Sequence, residues 1–237
     1  MARRTARMTA PWQPRTLILQ HEAATPPGLM ATWLHEQSAR VETLRIDEDQ
    51  RPLDARDYDL IVSLGSEFAA FDDSVPFVPR EARLFEQASE SDVPILGLCF
   101  GGQMLARVLG AELYRSEQSE IGWLPVRTTD PDLVSAGPWF QWHFDTFTAP
   151  PGARVVAATD VGPQAFVAGR SMGLQFHPEV TPQIMEEWVR VYPHELEAEG
   201  VDPESLLDET RRRAAEARRV TWRLFDRFRD AVARRGR

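Results

Sequence analysis

Residues 94–105 read PILGLCFGGQML, and this stretch decides the fold of the chain. Its first half is a short apolar run that ends at Cys99, and its second half has helical spacing, with three glycines close to the cysteine. An apolar strand that turns sharply into a helix is typical of sheets built from crossover units. Glycines permit the close backbone approach that such a turn needs, so the pattern predicts a thiol at the tip of a strand-to-helix turn.

Strands and helices alternate on the amino-terminal side of this turn. Apolar runs and helix-like stretches follow one another at 16–20, 28–37, 41–46, 59–65 and 80–88. Residues 111–176 read mainly as strands and turns instead. The pattern therefore predicts an α/β fold, a three-layer α/β/α open sheet whose core strands are mostly parallel and which carries an antiparallel extension.

Two helices are predicted to close the chain. One begins at Thr181-Pro182 and the other at Asp202-Pro203, each a capping residue followed by a proline, and Gly200 separates them. The predicted organisation is a basic, flexible segment at 1–14, one domain at 15–195, and an arginine-rich helix at 196–237 that docks on the domain.

Charge and composition exclude several classes of protein. The 237 residues carry a net charge of −9, and all 27 basic residues are Arg, so lysine-dependent phosphate loops and Schiff bases are absent. The net charge argues against nucleic-acid binding, although the carboxyl-terminal residues from 210 onward are basic. Cys99 is the only cysteine, and no apolar run is long enough for a signal peptide or a membrane span. We therefore expect a cytoplasmic protein without membrane association.

A second motif, SMGLQFHPEV at 171–180, supplies partners for the thiol. His177 follows a strand-like run, and Glu179 lies two residues further on across Pro178. Cys99 as nucleophile, His177 as its base and Glu179 as the group that orients His177 would form a catalytic triad. The alternative is a metal site made of His143, Asp145, His177 and Glu179, but its spacing matches no zinc signature, so we expect no metal and no organic cofactor.

Together the motifs GLCFGGQ and GLQFHPEV, 78 residues apart from Cys99 to His177, resemble those of the class I (triad) glutamine amidotransferases. The chain is most similar to stand-alone members like the amidotransferase domain of GMP synthase, and the resemblance covers about residues 15–191. It implies a flavodoxin-like sheet with Cys99 at the carboxyl edge of the parallel strands.

The resemblance also implies roles for residues outside the triad. Gly65 and Phe100 would supply backbone N–H groups to an oxyanion hole. Gln103 would help to hold glutamine, the segment EIGW at 120–123 would contact its amino-acid end through Gly122 and Trp123, and Asp145 would lie near its ammonium group. The remaining histidines, His21, His35 and His194, are interpreted as surface or loop residues without a role.

The implied reaction is hydrolysis of the side-chain amide of glutamine through a γ-glutamyl thioester on Cys99. The chain has neither a nucleotide loop nor room for a second domain, so the released ammonia would pass to a synthetase on a separate polypeptide. Two alternatives stay open from the sequence: a γ-glutamyl hydrolase that cleaves γ-glutamyl amines or peptides without a partner, and a non-catalytic regulatory subunit that kept the fold.

Overall fold

The strand that ends at Cys99 lies inside an eight-stranded sheet in the computed structural model of the chain, which describes residues 12–233. The strands are β1 (Arg15–Gln20), β2 (Arg40–Arg45), β3 (Leu60–Ser63), β4 (Ile95–Leu98), β5 (Leu113–Leu124), β6 (Arg127–Thr128), β7 (Trp139–Phe147), β8 (Arg154–Ala158), β9 (Pro163–Ala168) and β10 (Ser171–Leu174). The helices are α1 (Gly28–Glu36), α2 (Val78–Glu90), α3 (Phe100–Val108), α4 (Pro182–Val191), α5 (Pro193–Glu199) and α6 (Pro203–Phe228).

The strand order in the main sheet is β2-β1-β3-β4-β10-β9-β8-β6. The first five strands pair in parallel, and β9, β8 and β6 extend the sheet by antiparallel pairing. The predicted α/β fold with parallel core strands and an antiparallel extension is confirmed. The prediction that all of residues 111–176 belong to the extension is wrong for β10, which pairs with β4 in parallel and so belongs to the core. The order of the first strands is that of a flavodoxin-like sheet, in which ligands bind at the carboxyl ends of the strands.

One part of the predicted extension lies outside the main sheet. β5 and β7 form a separate antiparallel pair, with an irregularity in the pairing between Arg115 and Glu120. β7 is not predicted from the sequence, because its aromatic run WFQWHFDTF is buried at most positions and lacks the alternation of a half-buried strand. β7 of this pair lies next to the turn after β4, because Trp142 O is 3.9 Å from Cys99 Sγ.

Each face of the main sheet is covered by helices, because the apolar residues of its strands alternate between the two faces. On β1, Ile18 packs with Trp33 of α1 and Phe225 of α6 on one face. Leu17 packs with residues of α2 and α3 on the other face. These two apolar layers and the sheet between them form the three-layer core.

Three helices follow the last strand, not the two that the sequence predicts. The predicted starts at Pro182 and Pro203 are confirmed: Thr181 and Asp202 accept hydrogen bonds from backbone N–H groups of the first turns. The missed helix is α5, which begins at Pro193 directly after α4 because proline ends one helix and suits the first turn of the next. After α6 the chain continues in a π-helical turn, Arg229–Ala233.

The predicted segment boundaries at residues 14 and 195 stay predictions, and residues 1–11 of the amino-terminal segment lie outside the described residues. Within residues 12–233 no helix has the length and apolar character to cross a membrane.

Candidate active site

Cys99 lies at the sharp turn between β4 and α3. Its backbone adopts φ 50° and ψ −105°, a strained conformation for a residue with a side chain, and its N–H donates to Leu174 O at 2.8 Å. The turn packs so closely that a Cβ at Gly101 would lie 2.4 Å from Ser63 O, and one at Gly102 would lie 2.3 Å from Leu174 O. The glycines are therefore required by the approach of α3 to the neighbouring strands.

His177 reaches the same edge of the sheet because β10 pairs with β4 in parallel, with Leu174 opposite Leu98. The main-chain N–H of His177 donates to Phe140 O at 2.8 Å, and its Nδ1 lies 2.7 Å from Glu179 Oε1. Both side chains are buried, at 4% and 2% exposure. The predicted cysteine, histidine and carboxylate thus lie together, with the second ring nitrogen of His177 on the side away from Glu179.

The charges around His177 favour its imidazolium form. Burial alone would lower its pKa, but the negative charges of Glu179 and Cys99, with hydrogen bonds to both, raise the pKa to about 10. A histidine that is cationic at neutral pH favours a thiolate beside it. A cationic His177 can also donate a proton to a leaving group in the site.

A cleft of about 620 Å³ opens to solvent above Cys99 and His177. Its walls contain three of the other residues implied by the resemblance, Gly65, Gln103 and Asp145. Besides these, the lining consists of Thr25, Ser66, Glu67, Phe68, Arg115, Trp142, His143, Phe144, Trp188, Tyr192 and Glu195. Among residues 12–233, Gly122 and Trp123 do not contribute to this lining, and the indole N–H of Trp123 donates to Thr210 Oγ1 at 3.0 Å instead.

The two residues expected to form an oxyanion hole are neighbours of Cys99, Gly65 in space and Phe100 in sequence. Gly65 follows β3, and a Cβ built on it would lie 2.8 Å from His177 Cε1 and 3.7 Å from Cys99 Cβ. The carbonyl of Leu64, which shares its peptide group with the Gly65 N–H, accepts from Gly101 N at 3.1 Å. Phe100 is the first residue of α3, where backbone N–H groups have no partner within the helix.

His21 lies in the loop after β1 as expected, but it is buried, so the expectation of a surface residue without a role is wrong. It is 0% exposed, and its ring nitrogens lie 3.1 Å from Gly65 O and 2.8 Å from Glu81 Oε2. Burial lowers the pKa of His21, but the neighbouring Glu81 outweighs this and raises it. His35 and His194 are exposed as expected. A signal for His21 existed, since it directly follows an apolar strand and so lies at the edge that carries the site.

Gln175 is a second residue that the sequence analysis missed. Its Nε2 lies 3.6 Å from Cys99 Sγ, and its Oε1 accepts from Gln103 Nε2 at 3.2 Å. It stands two positions before His177, and alternate residues of an extended segment point to the same side, so the spacing could have indicated it.

Asp145 and Arg115 form a charged pair in the lining of the cleft. Their side chains lie 3.5 Å apart, and the guanidinium of Arg115 stacks over Phe144 at 4.4 Å from the ring centroid. Burial raises the pKa of Asp145, while Arg115 opposes this shift. The other carboxylates of the lining, Glu67 and Glu195, make the mouth acidic, and Tyr192 has a raised pKa because of burial and the surrounding glutamates.

The alternative metal site finds no support in the geometry. No group of three or more His, Cys, Asp or Glu side chains in the described part of the chain is arranged to hold a metal ion. His143 turns its Nδ1 toward Asp145 O at 3.1 Å, and its Nε2 lies 3.0 Å from Glu120 Oε2, which is outside the proposed ligand set.

Relatives of known sequence include both long synthases and shorter chains. The GMP synthase of Thermus thermophilus is 38% identical over 156 residues, which is 60% of this chain and 29% of that protein. A subunit of the glutamine-hydrolysing GMP synthase of Sulfolobus acidocaldarius is 28% identical over 151 residues and is covered over 77% of its length. The chain spans less than a third of the length of the first of these relatives.

Solved structures match over almost the whole chain. A glutamine amidotransferase from Thermotoga maritima is 33% identical, with a TM-score of 0.82 over 91% of this chain and 98% of that one. A glutamine amidotransferase from Methylobacillus flagellatus is 28% identical, with a TM-score of 0.84 over 94% of this chain and 97% of that one. The sequence also matches the family described as glutamine amidotransferase class-I over residues 29–190. The chain therefore belongs to the class-I glutamine amidotransferase family.

Proposed function

We propose that the chain hydrolyses the side-chain amide of glutamine to glutamate and ammonia. The observation that carries this proposal is the buried set of Cys99, His177 and Glu179 at a cleft that Asp145 and Arg115 also line. A thiol nucleophile beside an amide and opposite charges for an amino acid's ammonium and carboxylate are what glutamine requires.

In the proposed reaction, the Cys99 thiolate attacks the amide carbon and the carbonyl oxygen becomes an oxyanion. The N–H groups of Gly65 and Phe100 would stabilise this oxygen. The C–N bond then breaks, and the nitrogen leaves as ammonia with the proton of the His177 imidazolium. Neutral His177 next takes a proton from water, the hydroxide attacks the thioester, and the C–S bond breaks to release glutamate and restore the thiolate. Glu179 stays charged and orients His177.

The substrate contacts have unequal support. Asp145 lines the cleft and is suited to the substrate ammonium, and Gln103 lines it beside Asp145. The proposed contacts from Gly122 and Trp123 have no comparable support from the cleft lining and stay predictions. No cofactor enters any step of the proposal.

The ammonia would pass to a synthetase on a separate polypeptide. A relative that is covered over most of its length is one subunit of a GMP synthase, which supports an amidotransferase that works beside another chain. We place the reaction in the cytoplasm, where a free thiol such as Cys99 persists.

The test is covalent capture of the nucleophile together with turnover. The glutamine analogue 6-diazo-5-oxo-norleucine should add one equivalent to Cys99, Cys99→Ser should abolish both labelling and glutamate release, and Asp145→Asn should raise the KM for glutamine. Intact-mass measurement locates the label, and glutamate release is assayed with and without candidate synthetases. A chain that neither labels nor releases glutamate in any of these mixtures would instead be the non-catalytic regulatory subunit.

A γ-glutamyl hydrolase is the second candidate, and the acidic mouth of the cleft favours it. Glu67 and Glu195 would attract a cationic amine as the leaving group, whereas ammonia needs no such charge. Glutamine and γ-glutamylputrescine should be compared by kcat/KM in the unmodified chain and in Glu67→Gln. A strong preference for the amine that falls in the variant would favour this candidate over ammonia donation.

A further inference from the structure

The side-chain amides of Gln103 and Gln175 form a chain of hydrogen bonds that ends at Cys99. One terminal atom of Gln103 lies 3.0 Å from the backbone carbonyl of Asp145, and a carbonyl only accepts, so that atom is the amide nitrogen Nε2. The same nitrogen lies 3.2 Å from a terminal atom of Gln175, which must then be the oxygen Oε1. The remaining terminal atom of Gln175, 3.6 Å from Cys99 Sγ, is therefore the N–H donor Nε2.

This orientation is held rigidly. Gln175 is 0% exposed and Gln103 is 4% exposed, so both amides are largely removed from bulk water. The backbone N–H of Gln175 donates to Gln164 O at 2.9 Å, which fixes the main chain from which the side chain extends. A reversed Gln175 amide would place its nitrogen against the amide nitrogen of Gln103, and two donors facing each other are unfavourable.

The two protonation states of the sulfur have different partners. A thiol has a proton to donate, and the carbonyl oxygen of Trp142 is an acceptor at a long 3.9 Å. A thiolate can only accept, and it has two donors: the imidazolium of His177 and the amide of Gln175. Hydrogen bonds to charged groups are stronger than bonds between neutral groups, so this contact favours the charged sulfur. Gln175 is neutral and takes no proton from the sulfur, which separates its effect from that of His177.

We propose that Gln175 donates a hydrogen bond from Nε2 to the thiolate of Cys99 and stabilises it, with Gln103 as the positioning residue that fixes the orientation of the amide. The inference deepens the proposed function, because it rests on Cys99 as the nucleophile. It gives Gln103 a structural task that is separate from its expected contact with the substrate.

The experiment measures the rate at which iodoacetamide alkylates Cys99 as a function of pH, without glutamine. The chain has one cysteine, so the loss of free thiol reports this position alone. Gln175→Met keeps the length of the side chain and removes the donor, and it should raise the pH midpoint of alkylation by about one unit, the size expected for one hydrogen bond to a charged group. Gln103→Met should shift the midpoint in the same direction by a smaller amount.

The matched control is Gln141→Met. Gln141 is also 0% exposed and its amide also donates to a glutamine, Gln164 Oε1 at 2.8 Å, so the variant loses a comparable buried hydrogen bond without touching Cys99. Its alkylation midpoint should equal that of the unmodified chain. Circular dichroism and thermal unfolding of all variants establish that the alkylation rates come from folded protein, and Gln103→Met tests the inference even where Gln175→Met fails to fold.

Unchanged midpoints in folded Gln175→Met or Gln103→Met would overturn the inference, as would an equal shift in Gln141→Met. The result is independent of turnover. A shifted midpoint in a chain that releases no glutamate would leave the inference standing and count against the proposed function. Normal glutamate release with an unshifted midpoint would overturn the inference about Gln175 and support the proposed function.

Discussion

At the residue scale, Cys99 combines a strained backbone with a buried, charged neighbourhood. Its positive φ costs about 1–3 kcal/mol in a residue with a side chain, and the hydrogen bond to Leu174 O and the close packing of α3 hold it there. The strain turns the sulfur away from the strand and toward the cleft, where Gly65 and His177 lie. The precision of the site therefore depends on small residues around the turn.

Gly65→Ala should impair turnover without unfolding the chain. The added Cβ would lie 2.8 Å from His177 Cε1, closer than carbon atoms approach, so the loop or the imidazole must move. We expect kcat for glutamate release to fall about 10²-fold, comparable to the loss of one oxyanion-hole donor. Steady-state kinetics and circular dichroism measure the two effects. An active Gly65→Ala variant would contradict the proposed position of the oxyanion hole.

Glu179→Gln should lower the pKa of His177 from its value of about 10, because the variant removes one of the two negative charges that raise it. Nitrogen NMR of the imidazole as a function of pH measures the change. Glu186→Gln removes an exposed carboxylate that pairs with Arg211, and it should leave the titration unchanged. Equal titration curves for His177 in both variants would show that Glu179 does not set its charge.

The raised pKa of His177 also predicts how the stability of the fold depends on pH. The pKa of His177 is raised from 6.5 to about 10 on folding, so its charged form contributes stability that is fully present below pH 6.5 and is lost as the pH rises toward 10. In Glu179→Gln the free energy of unfolding should fall less over this range. Urea unfolding at several pH values checks the prediction, and an equally steep fall in the variant would contradict it.

At the element scale, α6 contacts the segment that carries two of the triad residues. The hydroxyl of Thr221, 1% exposed, donates to the carbonyl of Pro178 at 2.9 Å, between the two triad residues that follow β10. On the other side of this segment, Leu29 N donates to Glu179 O at 2.9 Å. The segment that carries His177 and Glu179 is therefore held by α1 and α6 as well as by the sheet.

Thr221→Val should destabilise the fold by about 1 kcal/mol and lower kcat, since the variant has the same shape but no donor for the Pro178 carbonyl. Thr16→Val is the matched control, because the buried hydroxyl of Thr16 has no hydrogen-bond partner among the described residues. Thr16→Val should have the same free energy of unfolding and the same kcat as the unmodified chain. Denaturant unfolding and glutamate release measure the two properties, and equal behaviour of the variants would exclude the anchoring role of Thr221.

At the scale of the whole molecule, the arginine-rich helix is part of the central core. Leu224, Phe225 and Phe228 of α6 are at most 2% exposed and pack with Trp33 and the parallel strands. Many of its arginines pair with nearby carboxylates, as in Arg213–Glu209, Arg218–Glu36 and Arg219–Glu216. The basic charge is thus largely paired at the surface, where each pair adds little stability, and the apolar face holds the helix in place.

Phe225→Ala should therefore lower the free energy of unfolding by about 3–5 kcal/mol, as expected for a fully buried phenylalanine. Arg219→Ala on the exposed face of the same helix should change it by less than about 0.5 kcal/mol. Chemical denaturation measures the free energy of unfolding of both variants. A small effect of Phe225→Ala would mean that α6 is a detachable appendage and not part of the core.

The sequence by itself determined the fold class and the three residues of the proposed triad. Strand-to-helix alternation depends on local periodicity, and each of the two motifs places its residue, Cys99 or His177, directly after an apolar strand. The parallel pairing that brings these two strands together is known only from the structure. The starts of α4 and α6 were predictable for the same reason, since capping residues and prolines act within one turn of helix.

The tertiary structure alone decided which distant residues complete the site. His21 and Glu81, and Gln103 and Gln175, meet through strand order and helix packing, which leave little trace in local patterns. Burial then turned these pairs into directed hydrogen bonds, because a polar group removed from water requires a partner. The separation of β5 and β7 from the main sheet was likewise a matter of packing between aromatic side chains that lie far apart in the sequence.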